Sequence, residues 1–150
     1  MTQDTVRLKI GHNAFDVRVP NLMGVAVPAY TPGAADVRAE IARSLDAPIG
    51  SEKLEVLARG RKNAAIVVND ITRPYPGGEM VLEIAKKLHL AGMRDEQISL
   101  IVAYGQHRKN TTEELTAAFG EEVTARFRIV HHDCRDEAQL ADLGTTEGGV

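Results

Sequence analysis

Ionisable and polar side chains follow three apolar segments of this chain, at positions where an ordinary turn needs only Gly, Pro, Asn or Asp. The segments are "AAIVVN" (64–69), "ISLIVAY" (98–104) and "RFRIVHH" (126–132). The residues in question are Asp70, Thr72 and Arg73; His107 and Arg108; and His131, His132, Asp133 and Cys134. An arginine fork suits a carboxylate or a phosphate, and a histidine can move a proton near neutral pH. These residue types predict a site that binds an anion and transfers a proton.

The elements that must position these residues alternate between strand and helix. A helix with Val81, Ile84, Ala85 and Leu88 on one stripe follows the first apolar segment and ends near Gly92. A second helix, with a capping box at Thr111 and Glu114, follows the next segment and buries Leu115, Ala118 and Phe119. Strands separated by single helices predict right-handed crossovers and a mostly parallel sheet.

Further elements flank this unit. "VRLKI" (6–10) and "FDVRV" (15–19) alternate apolar and polar residues around "GHNA" and predict a β-hairpin. Helices are predicted from Ala35 to Leu45, from a Ser51 cap to Arg59, and within "DEAQLADLG" before Gly144. The predicted fold class is α/β, a Rossmann-like three-layer fold with a mostly parallel sheet, preceded by an N-terminal β-hairpin.

The predicted topology brings the three polar segments together. Parallel strands present their carboxyl ends at one edge of the sheet, and ligands of open α/β sheets bind there. We therefore expect Asp70, Arg73 and His107 to share a common rim. Gly77 and Gly78 open the helix beside this rim and could offer free N–H groups to an anion.

Simpler interpretations exist for the same residues. Asp70 could be a turn residue with Arg73 as its surface salt-bridge partner, and His107 could be exposed without a role. His131 and His132 are adjacent on a strand and point to opposite faces, so no metal site is predicted within the chain. His12 and His89 are interpreted as structural or surface residues.

Composition limits the class of protein. The 150 residues carry a net charge of −3, with 43% hydrophobic and 26% charged residues, as in an ordinary soluble domain. Without a polybasic stripe, a long apolar run or a signal-peptide core, the sequence predicts no nucleic-acid or membrane partner. The single Cys134 is compatible with a reducing interior, and a cytoplasmic location is expected. The glycine-rich end "LADLGTTEGGV" suggests a fragment of a longer protein.

Three motifs in order carry a family resemblance. "NDITRPYP", then about thirty residues later "AYGQHRKNTTEEL", and then "HHDC" resemble the N-terminal part of the nickel-pincer lactate racemase family. The resemblance runs from about Pro48 to "LGTTEGG". The length of 150 residues predicts a single α/β domain over residues 1–150. The resemblance implies that this domain is the N-terminal part of a longer two-domain protein.

The resemblance also implies a reaction. Family members are isomerases that racemise or epimerise 2-hydroxy acids by hydride transfer through a 2-keto acid, using a nickel-pincer nucleotide. His107 resembles one of two catalytic histidines, Arg73 an arginine that binds substrate or cofactor, and Asp70 and Thr72 cofactor-binding positions. The second histidine, the tethering lysine and the nickel ligand would lie beyond Val150. The implied partners are therefore a small 2-hydroxy acid and the missing C-terminal part, and the fragment alone is expected to be inactive.

A different class of function uses fewer of these residues. A non-catalytic anion- or nucleotide-binding α/β module needs only Arg73, Arg108 and the helix N-termini. A hydrolase is not supported, because the chain has no serine nucleophile elbow.

Overall fold

The computed structural model describes residues 5–11 and 13–149, which fall into two compact units divided after Gly33. The first unit contains an antiparallel hairpin of β1 (Thr5–Ile10) and β2 (Asn13–Arg18), with Leu8 opposite Phe15. The predicted hairpin is confirmed, and His12 of its turn lies outside the described residues.

The second unit contains a parallel three-stranded sheet with helices. Its elements are α1 (Val37–Asp46), α2 (Leu54–Leu57), β3 (Ala64–Asn69), α3 (Gly77–Leu90), β4 (Ile98–Ala103), α4 (Thr112–Phe119), α5 (Glu121–Arg126) and β5 (Arg128–His131). The strand order is β3-β4-β5, and both pairs of neighbours are parallel. The predicted α/β fold class, a hairpin followed by a parallel sheet with helices, is therefore confirmed.

The central strand forms the middle of the core. In β4 the side chains of Ile98, Leu100 and Val102 are almost fully buried, because they alternate toward one packed face. The same core includes Val81, Ala85 and Leu88 of α3 and Leu115, Phe119 and Val123 of α4 and α5. Each such aliphatic side chain contributes roughly 1.5–3 kcal/mol of transfer free energy. This packing holds the three strand ends in fixed positions.

The glycine pair at the start of α3 serves helix packing. A Cβ at Gly78 would lie 2.3 Å from the carbonyl oxygen of Phe119, and one at Gly77 would lie 2.8 Å from the Phe119 ring. The Gly77 N–H donates to the carbonyl of Tyr75 at 2.7 Å. The two glycines therefore let α3 approach the end of α4, and the Gly77 donor is used within the chain.

Several predicted helices differ in the structure. The helix expected from Ser51 is only Leu54–Leu57, because the Ser51 hydroxyl donates to the Glu52 carbonyl and caps nothing. Within "DEAQLADLG" a single 3-10 turn forms, and Leu143 is 95% exposed, so no apolar face stabilises a longer helix there.

Other differences lie around α4. Ala118 is exposed rather than buried, and the short helix α5 was not predicted. It begins directly after Gly120, whose φ of +86° ends α4. Within the described part of the chain, no helix is both long and apolar enough to cross a bilayer.

Candidate acid–base site

Three loops leave the sheet from one edge. Asn69 at the end of β3 is in register with Ala103 at the end of β4, and Val102 is in register with His131 at the end of β5. Because all three strands run in the same direction, the residues that follow them lie at the same rim. The topological part of the sequence prediction agrees with this arrangement.

Asp70 and His107 are joined across two of these loops. The Oδ2 atom of Asp70 lies 2.6 Å from Nδ1 of His107. The Asp70 side chain is 5% exposed and that of His107 is 55% exposed. A buried carboxylate thus holds one nitrogen of an imidazole whose remaining surface is open to ligands.

Thr72 completes the environment of the carboxylate. Its hydroxyl donates to Oδ1 of Asp70 at 2.6 Å, and its backbone N–H donates to the same atom at 3.2 Å. The hydroxyl of Thr72, with further help from His107, holds the pKa of Asp70 below its usual value against the opposing effect of burial. The carboxylate is therefore ionised at neutral pH.

This charge assigns the imidazole protons. An ionised carboxylate can only accept hydrogen bonds, so Nδ1 of His107 carries the proton that it donates to Asp70. The other nitrogen, Nε2, is then left to accept a proton from a ligand and to return it. The arrangement can act as a general base and a general acid.

Arg73 lies in the same loop as Asp70 but is not its ion-pair partner. Its backbone N–H donates to the Asp70 carbonyl at 3.3 Å, which closes the turn. The interpretation of Asp70 as a turn residue is correct in this respect, while the Asp70–Arg73 salt bridge is wrong. Among residues 5–11 and 13–149 the Arg73 guanidinium has no hydrogen-bond or ion-pair partner, and the residue is exposed. It is available for an anion.

Arg108 has a partner of its own. Its two terminal nitrogens donate to the carboxylate of Glu114 at 2.8 and 2.6 Å. Glu114 also accepts the N–H of Thr111, which completes the predicted capping box. These contacts, led by Arg108, lower the pKa of Glu114 to about 2. Arg108 thus holds its loop against α4.

Two buried contacts at this edge were not predicted. The side-chain Oδ1 of Asn110 accepts the N–H of Ile71 at 3.4 Å and links the first loop to the second. The hydroxyl of Tyr104 lies 2.7 Å from Nδ1 of His131, and the two rings are nearly parallel. The second contact depends on the register of Val102 with His131, for which the sequence carried no signal.

The "HHDC" segment does not form a metal cluster. His131 is engaged with Tyr104, and Cys134 is a free, half-buried thiol. In the described ranges no group of three His, Cys, Asp or Glu side chains is placed to hold a metal ion.

Together these features define an α/β domain with a candidate acid–base site at the carboxyl edge of a parallel sheet. Comparison with known families is more specific. The lactate racemase N-terminal domain model matches residues 10–150, and the chain belongs to this family. The resemblance seen in the sequence motifs is thereby confirmed.

Individual relatives agree with the family. The chain is 38% identical over 109 residues to the lactate racemase of Lactiplantibacillus plantarum, covering 73% of this chain and 26% of that protein. It is 32% identical over 112 residues to the lactate racemase of Thermoanaerobacterium thermosaccharolyticum, covering 73% and 25%. The solved structure of the lactate racemase apoprotein from the latter organism is similar with a TM-score of 0.71 and 28% identity, covering 97% of this chain and 34% of that one.

The chain therefore spans about a quarter of the length of these relatives. The roles of Asp70, Thr72, Arg73 and His107 stay predictions, as does the single domain over residues 1–150.

Proposed function

We propose that this chain is the N-terminal part of a longer, two-domain racemase or epimerase of 2-hydroxy acids, with lactate as the model substrate. We call that longer protein the parent protein. The observation that carries the proposal is the hydrogen bond between the buried Asp70 carboxylate and Nδ1 of His107. The names of the relatives supply the reaction class.

His107 acts as the acid–base group. Its Nε2 atom takes the hydroxyl proton of one substrate enantiomer as the Cα hydride leaves, and it returns a proton to that oxygen when the same enantiomer forms again. The second histidine that the family resemblance implies, beyond Val150, would serve the other enantiomer. Asp70 is a positioning residue: it fixes the orientation of the ring and stabilises the imidazolium that forms when Nε2 is protonated. Thr72 keeps that carboxylate in place.

Arg73 binds the negative charge of the ligand. Its unpaired guanidinium can form two parallel hydrogen bonds to a substrate carboxylate or a cofactor phosphate. The turn that joins Arg73 to Asp70 places the anion-binding residue in the same loop as the support of the base. The substrate's carboxylate and hydroxyl can then be held at one rim.

The nickel-pincer nucleotide implied by the family resemblance fits this chain in part. Arg73 suits its phosphate, whereas the described residues contain no three-ligand cluster for a metal. The family resemblance implies that the nickel ligands and the tethering lysine lie beyond residue 150. When bound, this cofactor would supply a hydride acceptor for the Cα hydrogen, and the family resemblance implies a planar 2-keto acid as the oxidised form of the substrate. The side chains of Asp70 and Thr72 form a hydrogen bond with each other. We therefore infer that they contribute to a cofactor site indirectly, by holding His107 and the loop in place.

The test uses the cofactor-loaded parent protein and a panel of 2-hydroxy acids. Loss of optical rotation is expected for at least one of them, with L-lactate as the first candidate. When the reaction is run in D2O, the hydride route predicts a product that keeps its original Cα hydrogen. No racemisation of any member of the panel would refute the reaction, and deuterium at Cα would refute the hydride route.

A non-catalytic anion- or nucleotide-binding module is the alternative, favoured by the unpaired Arg73. This alternative also needs Arg108 to bind the anion, but the guanidinium of Arg108 is already paired with Glu114. Tight binding of a mononucleotide to this chain, independent of nickel, would favour the module.

A further inference from the structure

A cleft of about 220 Å³ opens beside His107, between the loops that follow β4 and β5. Three cationic residues line it, Arg108, Lys109 and Arg135, against the single carboxylate of Asp133. Arg108 is paired with Glu114. Within the described part of the chain, the charged groups of Lys109 and Arg135 have no ion-pair partner. The cleft therefore has an excess of positive charge that the protein itself does not neutralise.

His131 lines the same cleft, and the buried Tyr104 fixes the orientation of its imidazole ring. The Tyr104 hydroxyl, in a residue only 4% exposed, lies 2.7 Å from Nδ1 of His131. The two ring planes are nearly parallel, with an angle of 4° between them and centroids 5.8 Å apart. The imidazole is thus held by a hydrogen bond at one nitrogen from a ring that lies alongside it.

Burial determines the protonation states of Tyr104 and His131. Burial raises the pKa of Tyr104 and lowers that of His131, the latter with help from Lys109, so both rings are neutral at pH 7. A buried hydroxyl hydrogen without an acceptor is costly, and His131 is the acceptor that the described residues offer to Tyr104. Tyr104 therefore donates to Nδ1, and His131 carries its proton on Nε2.

We propose that this cleft binds an anionic oxygen group, a carboxylate or a phosphate, through the Nε2–H of His131 and the charges of Lys109 and Arg135. The charges of Lys109 and Arg135 attract an anion without fixing its orientation. The Nε2–H of His131 donates a hydrogen bond that fixes the position of the bound oxygen atom. Tyr104 is the positioning residue, because it sets the tautomer that makes His131 a donor. The proposal concerns binding and does not require that the parent protein racemise hydroxy acids, although His107 lines the same cleft.

Imidazole ¹⁵N NMR of the 150-residue chain tests the proposal. Before any ligand is added, His131 should show the Nε2–H tautomer. Titration with inorganic phosphate, and separately with acetate, should shift the His131 nitrogens saturably. A response to phosphate alone or to acetate alone supports the site and identifies which anion it prefers.

Variants assign the contacts. His131→Gln, and the pair Lys109→Gln with Arg135→Gln, should each weaken anion binding by about tenfold or more, as expected for hydrogen bonds to a charged group. Tyr104→Phe keeps the ring, should abolish the single-tautomer signature and should weaken binding severalfold. Tyr30→Phe, at a side chain 89% exposed, is the matched control and should change neither.

Two results would overturn the inference. One is the absence of saturable shifts with either anion in a chain whose amide spectrum is folded. The other is anion binding of unchanged strength in both His131→Gln and Tyr104→Phe. Racemisation by the parent protein together with no anion binding in this cleft would refute this inference and leave the proposed function intact.

Discussion

The carboxylate of Asp70 holds Nδ1 of His107 at 2.6 Å, although the two residues are 37 positions apart in the sequence. The acid is buried and the imidazole is half exposed, so the charge is protected while the reactive nitrogen is accessible. This pair is the feature on which the proposed proton transfer depends.

Replacing Asp70 by Asn should keep the shape of the site and spoil its chemistry. An amide that donates its NH₂ to Nδ1 leaves the proton on Nε2, where it blocks the base. We expect racemisation by the parent protein to fall by about 10²–10⁴-fold, the range attributed to a positioned acid–base group. Kinetics would be measured together with the His107 tautomer by ¹⁵N NMR.

The matched control is Asp46→Asn. Asp46 pairs with Lys87 near the far end of α3 and should leave both the rate and the tautomer unchanged. An Asp70→Asn protein with native kinetics would refute the positioning role of the carboxylate.

The pH dependence of stability should report the bond between Thr72 and Asp70. Because the folded-state pKa of Asp70 is lowered, its contribution to stability is full above the unfolded pKa of about 3.9 and is lost as pH falls through the folded pKa. Thr72→Val removes the hydroxyl and should cost about 1 kcal/mol at neutral pH. Urea unfolding should show this difference shrinking below pH 4.

Thr112→Val, at an exposed position of α4, provides the comparison and should show no such pH-dependent difference. A Thr72→Val difference that stays constant from pH 7 to pH 3 would mean that the hydroxyl does not act on the Asp70 carboxylate.

The Arg108–Glu114 pair predicts an unusual titration. The carboxyl carbon of Glu114 should titrate in NMR with a pKa of about 2. Arg108→Gln removes the largest cause and should move the midpoint toward the ordinary value of 4.5. Arg59→Gln, at another exposed arginine, should have no effect. An ordinary midpoint in the native chain would show that Arg108 is not held by Glu114 and is free to bind an anion.

Gly78→Ala should destabilise the fold despite the higher helix propensity of alanine. The new Cβ would lie 2.3 Å from the Phe119 carbonyl oxygen, so α3 and α4 must separate. We expect a loss of about 1–3 kcal/mol, as for other overpacked positions. Gly24→Ala meets nothing within 4 Å and should be nearly neutral in the same denaturation experiment. Equal stability of the two variants would contradict the proposed packing role.

The order of the strands and helices could be predicted from the sequence, and so could the position of the three loops at one edge of the sheet. The bounds of β3 match the apolar run 64–69, and the capping box of Thr111 and Glu114 forms as predicted. These features depend on local patterns, namely an uninterrupted β-branched run and a hydroxyl three residues before an acid.

Partner choice among the side chains could not be predicted in the same way. Asp70 forms its hydrogen bond with His107 rather than with Arg73. Arg108 pairs with Glu114, and His131 is hydrogen-bonded to Tyr104. Each choice depends on loop conformation and strand register, which no spacing in the sequence encodes. The short helix α5 was missed because Gly120 ends one helix and starts the next without a loop between them.

The proposed acid–base role of His107 can be measured as the rate at which the cofactor-loaded parent protein racemises L-lactate when His107 is replaced by Ala. His89→Ala serves as the control, since His89 pairs with Asp95 on a different part of the fold. We expect a loss of at least about a hundredfold in His107→Ala, the usual minimum for an acid–base group, and a native rate in His89→Ala. A native rate in a folded His107→Ala protein would contradict this role.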